Sequence, residues 1–111
     1  MINAGNIVLD VKNLRVWAEG EPVQLRTREF GLLAALAERP GELLSWEMLA
    51  AEVWGSSDVR TPRTIDVHVQ RIRVALARRS SFNYVQTVRG YGYRFAPFAT
   101  HPRLKASASG R

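Results

Sequence analysis

Seven side chains between Arg63 and Arg78 carry the most distinctive chemistry in this 111-residue sequence. On a helix advancing about 100° per residue, Arg63, Val67, Gln70, Arg71, Val74 and Arg78 share one face, and Thr64 adjoins it. No acid lies on that face, although solvated helix faces ordinarily mix signs to gain i,i+4 pairs. Arginines, an amide, a hydroxyl and small apolar groups suit the edges of paired bases. Arginine matches guanine through two hydrogen bonds, glutamine matches adenine, and valine or threonine meets the thymine methyl. A generic basic surface is the competing reading. On the other side, Ile65, Val69, Ile72 and Leu76 fall within about 60° of one another and form a stripe that a core must cover. Asp66 sits on the flank, where an acid among arginines is expected to orient Arg63 or Arg73 rather than meet nucleic acid. His68 lies at the boundary, and two roles stay open for it: donation to a phosphate, or packing with the ring half buried.

Charge is divided unevenly along the chain. Residues 1–59 hold 5 Lys/Arg against 9 Asp/Glu, a net of −4, whereas residues 60–111 hold 11 Lys/Arg against Asp66 alone, a net of +10. A half this basic suits a polyanion, because each cation placed on a phosphate releases a condensed counterion. With 46% hydrophobic and 23% charged residues the composition is that of an ordinary globular domain, and the length allows one modest core. The sequence has no cysteine, which excludes disulfides and thiolate metal sites. The longest apolar run, Leu32 to Ala37, is far too short to span a bilayer. No charged-then-apolar leader opens the chain, so a cytoplasmic address is expected.

Several elements must position the reading face. Ile7–Asp10, Leu14–Ala18 and Val23–Arg26 read as strands of a small antiparallel meander. Thr27 is expected to cap a helix over Arg28–Arg39 that stops at Pro40-Gly41 and is apolar nearly all round, hence central. Ser45 caps a second helix, Trp46–Trp54, ended by Gly55. A polar loop, Gly55–Arg60, leads to Thr61-Pro62, a capping hydroxyl followed by proline at the first helical position. The third helix then runs over residues 62–79. Tyr84–Val88 and Tyr93–Ala96 read as strands around Arg89-Gly90-Tyr91-Gly92, with glycines supplying positive φ. Arg89 leads the tip of this hairpin, from which it can enter an adjacent minor groove, where narrow A·T-rich stretches attract arginine. Strands, three helices and a hairpin in this order make an α+β winged helix-turn-helix. Its expected limits are residues 7–98, between a short tail at 1–6 and a flexible one at 99–111.

Five blocks resemble the OmpR/PhoB-type effector domain of bacterial two-component response regulators. They are Thr27-Arg28-Glu29-Phe30-Gly31-Leu32-Leu33, Val53-Trp54-Gly55, Arg63-Thr64-Ile65-Asp66-Val67-His68-Val69, Ile72-Arg73, and Gln86-Thr87-Val88-Arg89-Gly90-Tyr91-Gly92-Tyr93-Arg94-Phe95. The resemblance covers about residues 7–97. It implies a transcription factor bound to double-stranded promoter DNA, often as a head-to-tail pair on direct repeats. It places Arg63, Thr64, Val67, Gln70, Arg71 and Arg73 where a recognition helix meets bases and phosphates, and Arg89 where the wing arginine stands. Trp54, His68 and Thr87 match positions that touch the DNA backbone, and Arg78 and Tyr91 are grouped with them. The loop at residues 55–60 matches a segment that touches RNA polymerase in activators of the family. A receiver domain and a histidine-kinase pathway are implied for any longer regulator. Gln70 departs from the pattern, standing where a basic residue is frequent.

Other function classes fit the residues poorly. Asp66 and His68, two apart on a helix and so roughly 200° around its axis, cannot form a catalytic dyad. No spacing suits a metal, no cofactor is implied, and catalytic residues are not expected. The Gly90-x-Gly92 pattern is a weak phosphate cradle, because a strand rather than a helix N-terminus follows it. A winged helix used for protein contact or RNA binding is the alternative. It calls for an apolar exposed patch where this sequence has arginines.

Overall fold

Backbone pairing begins almost at the first residue. The computed structural model describes residues 1–55, 61–80 and 83–96. Four strands, β1 (Ile2–Ala4), β2 (Ile7–Asp10), β3 (Arg15–Ala18) and β4 (Glu21–Val23), form an antiparallel sheet in sequential order. Residues 2–4 were expected as tail. They pair instead with β2, in the register Ile2↔Leu9 and Ala4↔Ile7. The last strand of the meander is Glu21–Val23 rather than Val23–Arg26, because the chain turns sooner. Glu19 and Gly20 both adopt positive φ (51° and 83°), the two-residue hairpin geometry whose twist matches that of its strands. Alternation puts Ile7, Leu9, Val16 and Ala18 into the core.

Helix α1 (Thr27–Ala37) buries Phe30, Leu32, Leu33, Ala35, Leu36 and Ala37, which confirms its central place. Its N-cap is Arg26, not Thr27. The Glu29 carboxylate reaches back to accept the Arg26 backbone N–H at 3.0 Å, the half of a capping box that an acid at the third helical position supplies. A two-residue strand, β5 (Leu44–Ser45), leads straight into α2 (Trp46–Trp54). The Ser45 hydroxyl accepts the Met48 N–H at 3.1 Å, and Gly55 ends the helix at φ 92°.

Helix α3 covers Pro62–Ala77, two residues short of the expected end, with Arg78 as its C-cap. The Thr61 hydroxyl caps it, accepting the Thr64 N–H at 3.3 Å, and Pro62 occupies the first turn, where its missing N–H costs nothing. Strands β6 (Val85–Val88) and β7 (Gly92–Phe95) close a hairpin, and β7 also pairs with β5, giving the order β5-β7-β6. Gly90 takes φ 78° at the tip, but Gly92 does not adopt positive φ. Its need for glycine is a close approach: a Cβ there would stand 1.9 Å from the Leu44 carbonyl oxygen.

Both sheets and all three helices enclose one core. It includes Leu9, Leu33, Leu49, Ile72, Tyr84 and Phe95, each 1% exposed or less. The C-terminal end of α3 is clasped to the meander. Arg79 Nε donates to the Pro22 carbonyl at 3.0 Å, while the Ser80 hydroxyl joins the Glu19 carboxylate and lies 2.8 Å from the Tyr84 hydroxyl. Among the described residues, no helix is long and apolar enough to cross a membrane. Residues 97–111, most of the expected 55–60 loop and the expected tail at 99–111 lie outside the described residues.

Candidate nucleic-acid interface

The cap at Thr61 and the stripe Ile65, Val69, Ile72 and Leu76, all buried, fix which side of α3 looks outward. Arg63, Val67, Gln70, Arg71, Val74 and Arg78 are exposed on that side, and Thr64 is half-buried beside them. Val67 and Val74 are 39% and 54% exposed among these polar groups. Among the described residues, the ion pair within 4 Å joins Arg39 to Glu52 at 3.2 Å and involves no arginine of α3.

Asp66 does not salt-bridge Arg63 or Arg73. It accepts a hydrogen bond from the Tyr93 hydroxyl at 3.1 Å, so the one acid of α3 is engaged by the hairpin. Burial pushes the Tyr93 phenol up to about 12, the Asp66 charge and hydrogen bond push the same way, and Arg73 opposes them.

Arg73 also behaves differently from its expected place among the base-reading groups. Its Nε and Nη2 donate to the Val85 carbonyl at 3.1 and 3.0 Å, Nη2 reaches the Thr87 hydroxyl, and Nη1 donates to Gln70 Oε1 at 2.7 Å. Burial lowers its pKa, with Tyr93 and Asp66 acting in the opposite sense. Arg73 therefore fastens α3 to β6 instead of projecting from the helix. Thr87 accepts from Arg73 and keeps its own hydroxyl hydrogen for another acceptor.

Of the two roles left open for His68, the packing one is observed. The ring is half-buried, Nδ1 lies 2.8 Å from the Thr64 carbonyl, and the plane meets Trp54 edge-on with centroids 5.1 Å apart. A carbonyl only accepts, so Nδ1 carries hydrogen and Nε2 is the remaining polar atom. Arg28, which sequence reasoning did not single out, stands 5.6 Å over the Trp54 ring and donates to the Val53 carbonyl at 3.0 Å. It joins α1 to this cluster at the end of α2. At the hairpin tip, Arg89 is exposed and Tyr91 is 49% exposed. The two residues that sequence reasoning missed, Arg28 and Tyr93, act across 25 and 27 positions, beyond the reach of any local pattern. The described residues include no group of three or more His, Asp or Glu able to hold a metal ion.

Comparison with known proteins fits this geometry. Residues 20–95 match the family model described as transcriptional regulatory protein, C terminal. The chain is 40% identical over 96 residues to the phosphate regulon transcriptional regulatory protein PhoB of Escherichia coli, covering 86% of this chain and 42% of that one. It is 36% identical over 98 residues to the DNA-binding response regulator MtrA of Mycolicibacterium smegmatis, covering 87% of this chain and 43% of that one. The chain thus spans less than half the length of these curated relatives. Among solved structures, the Klebsiella pneumoniae RstA DNA-binding domain in complex with RstA box superposes with a TM-score of 0.73 at 31% identity. That match covers 87% of this chain and 97% of that one. The DNA-binding domain of CpxR from E. coli gives a TM-score of 0.70 at 30% identity, covering 86% and 93% respectively.

Proposed function

The chain belongs to the family of transcriptional regulatory protein C-terminal domains, and from that premise we propose that it reads promoter DNA with α3 in the major groove and the β6–β7 tip at the minor groove. The observation that carries this reading is the outward face of α3, basic and free of acid, with Asp66 drawn toward Tyr93. Arg63, Thr64, Val67, Gln70 and Arg71 meet base edges, and Arg89 enters the flanking minor groove. Trp54, His68, Arg78, Thr87 and Tyr91 hold phosphates. Arg73 supports these groups from behind. The protein acts in the cytoplasm, without catalysis, and pairs head-to-tail on direct repeats. It answers to a receiver domain and a histidine-kinase pathway, and reaches RNA polymerase through residues 55–60.

The test is selection of bound duplexes from a random pool, followed by a salt titration on the winning sequence. One motif with two similar half-sites one helical turn apart, about 10–10.5 bp, is expected. The logarithm of the affinity is expected to fall linearly with that of salt concentration, by about 0.9 per phosphate neutralised. An unenriched pool, or an affinity indifferent to salt, would overturn the proposal.

A further inference from the structure

Gln70 stands on the crest of α3. It borders the groove toward β6, beside Arg73 and Asn83, and also the groove toward the β4–α1 connection, beside Arg26 and Arg71. A glutamine so exposed would ordinarily rotate freely and could turn either end of its amide outward. Here Arg73 Nη1 donates to the amide oxygen at 2.7 Å. Arginine has donors and no acceptor, so the end of the amide facing it has to be the oxygen. Arg73 is itself held, since Nε and Nη2 grip the Val85 carbonyl and Nη2 reaches Thr87. The orientation of Gln70 is thereby inherited from β6.

We propose that Arg73 is a positioning residue that locks the Gln70 amide with its NH2 group outward, so that Gln70 reads the guanine of a G·C pair rather than the adenine a free glutamine would match. This rests on the reading of α3 as the major-groove helix. Matching adenine takes an acceptor for the N6 amino hydrogen and a donor for N7. In this chain the acceptor is engaged by a cation, and an amino hydrogen approaching it meets a guanidinium of the same sign. Guanine offers two acceptors, N7 and O6, side by side. Both face the amide hydrogens and are attracted by the positive charge behind them. Lysine in place of Arg73 keeps the charge, but a single ammonium lacks the fork that holds Val85 and Gln70 together.

The experiment selects duplexes from a random pool with the full chain in three forms: wild type, Q70A and R73K. One position of the wild-type motif is expected to lose its preference in Q70A. That position is expected to be G·C, and its replacement by A·T weakens wild-type binding on the order of tenfold. In R73K the preference there relaxes or moves to A·T, while preferences at other positions persist. An A·T pair at the Gln70-dependent position, a Q70A motif identical to wild type, or an R73K motif identical to wild type would each overturn the inference while leaving DNA reading by α3 intact. Failure of the wild type to enrich any motif would instead remove the underlying reading and this inference with it. Where R73K is destabilised, the wild-type and Q70A arms still decide which base pair Gln70 reads, because Gln70 is exposed and its truncation leaves the core untouched, and an A·T pair there overturns the inference.

Discussion

Replacing Gly92 by alanine tests how the hairpin is seated on the helices. The added Cβ would lie 1.9 Å from the Leu44 carbonyl oxygen and 2.8 Å from Ser45 Cα, both backbone atoms of β5, where ordinary contact begins at 3.4 Å. The two strands must part by about 1.5 Å, the difference between those distances. That opens the pairs Leu44↔Tyr93 and Ser45↔Gly92 and strains the neighbouring bond from Trp46 N–H to the Tyr91 carbonyl, now 3.1 Å. Overpacking of this kind costs about 1–3 kcal/mol, and each weakened backbone hydrogen bond adds about 0.5–1.5 kcal/mol. A total of about 2–4 kcal/mol is expected, large against the roughly 5–15 kcal/mol that holds a typical domain together. Gly90→Ala is the control. Gly90 has φ 78°, but a Cβ added there would meet nothing within 4 Å, so only the left-handed backbone opposes alanine, at about 1 kcal/mol. Denaturant unfolding followed by circular dichroism reads both, as a drop in midpoint at unchanged slope. Equal losses for the two variants would refute the close-approach argument and leave Gly92 an ordinary hairpin glycine.

Three further outcomes are expected. Tyr93 has its folded pKa raised to about 12, above the ordinary value near 10. Its contribution to stability is therefore complete below about pH 10 and is lost as pH rises toward about 12, since the unfolded chain releases that proton first. Unfolding free energies measured over this window should decline for wild type and lose that part of the slope in Tyr93→Phe. Arg71→Ala should cost about 1–3 kcal/mol on the selected site and erase preference at one or two base pairs; equal losses on random DNA would move Arg71 to a phosphate. Arg89→Ala should weaken sites with A·T-rich flanks more than sites with G·C-rich flanks, and identical losses in competition binding would take the wing out of the readout.

Parts of this architecture are written locally and parts are not. The ends of α2 and the start of α3 were legible because Ser45, Gly55, Thr61 and Pro62 each impose a backbone requirement within four residues of the end they mark. The stripe at Ile65, Val69, Ile72 and Leu76 was legible because burial follows helical period. The strands β1 and β5 have three and two residues, too few to establish an alternation, so only their partners reveal them. Gly92 reads as a turn residue, yet its requirement comes from a strand about 48 positions upstream. In the same way, the family resemblance placed Arg73 among the residues that meet bases and phosphates, and a carbonyl on β6 decided where its guanidinium went.

The clasp at the far end of α3 has a consequence for fidelity. Sixteen residues make a rod about 24 Å long. Were it tethered at one end only, a tilt of about five degrees would swing the other by about 2 Å, several times the roughly 0.5 Å window in which hydrogen bonds keep their strength. Arg79 and Ser80 anchor one end, Arg73 the half next to it and Asp66 the half toward the other end, so the rod is a beam supported along its length rather than a lever. Cutting the anchor at Arg79 and Ser80 would blur discrimination between sequences before it lessened attraction to the phosphates, because Coulomb attraction tolerates an ångström of play and hydrogen bonds to base edges do not.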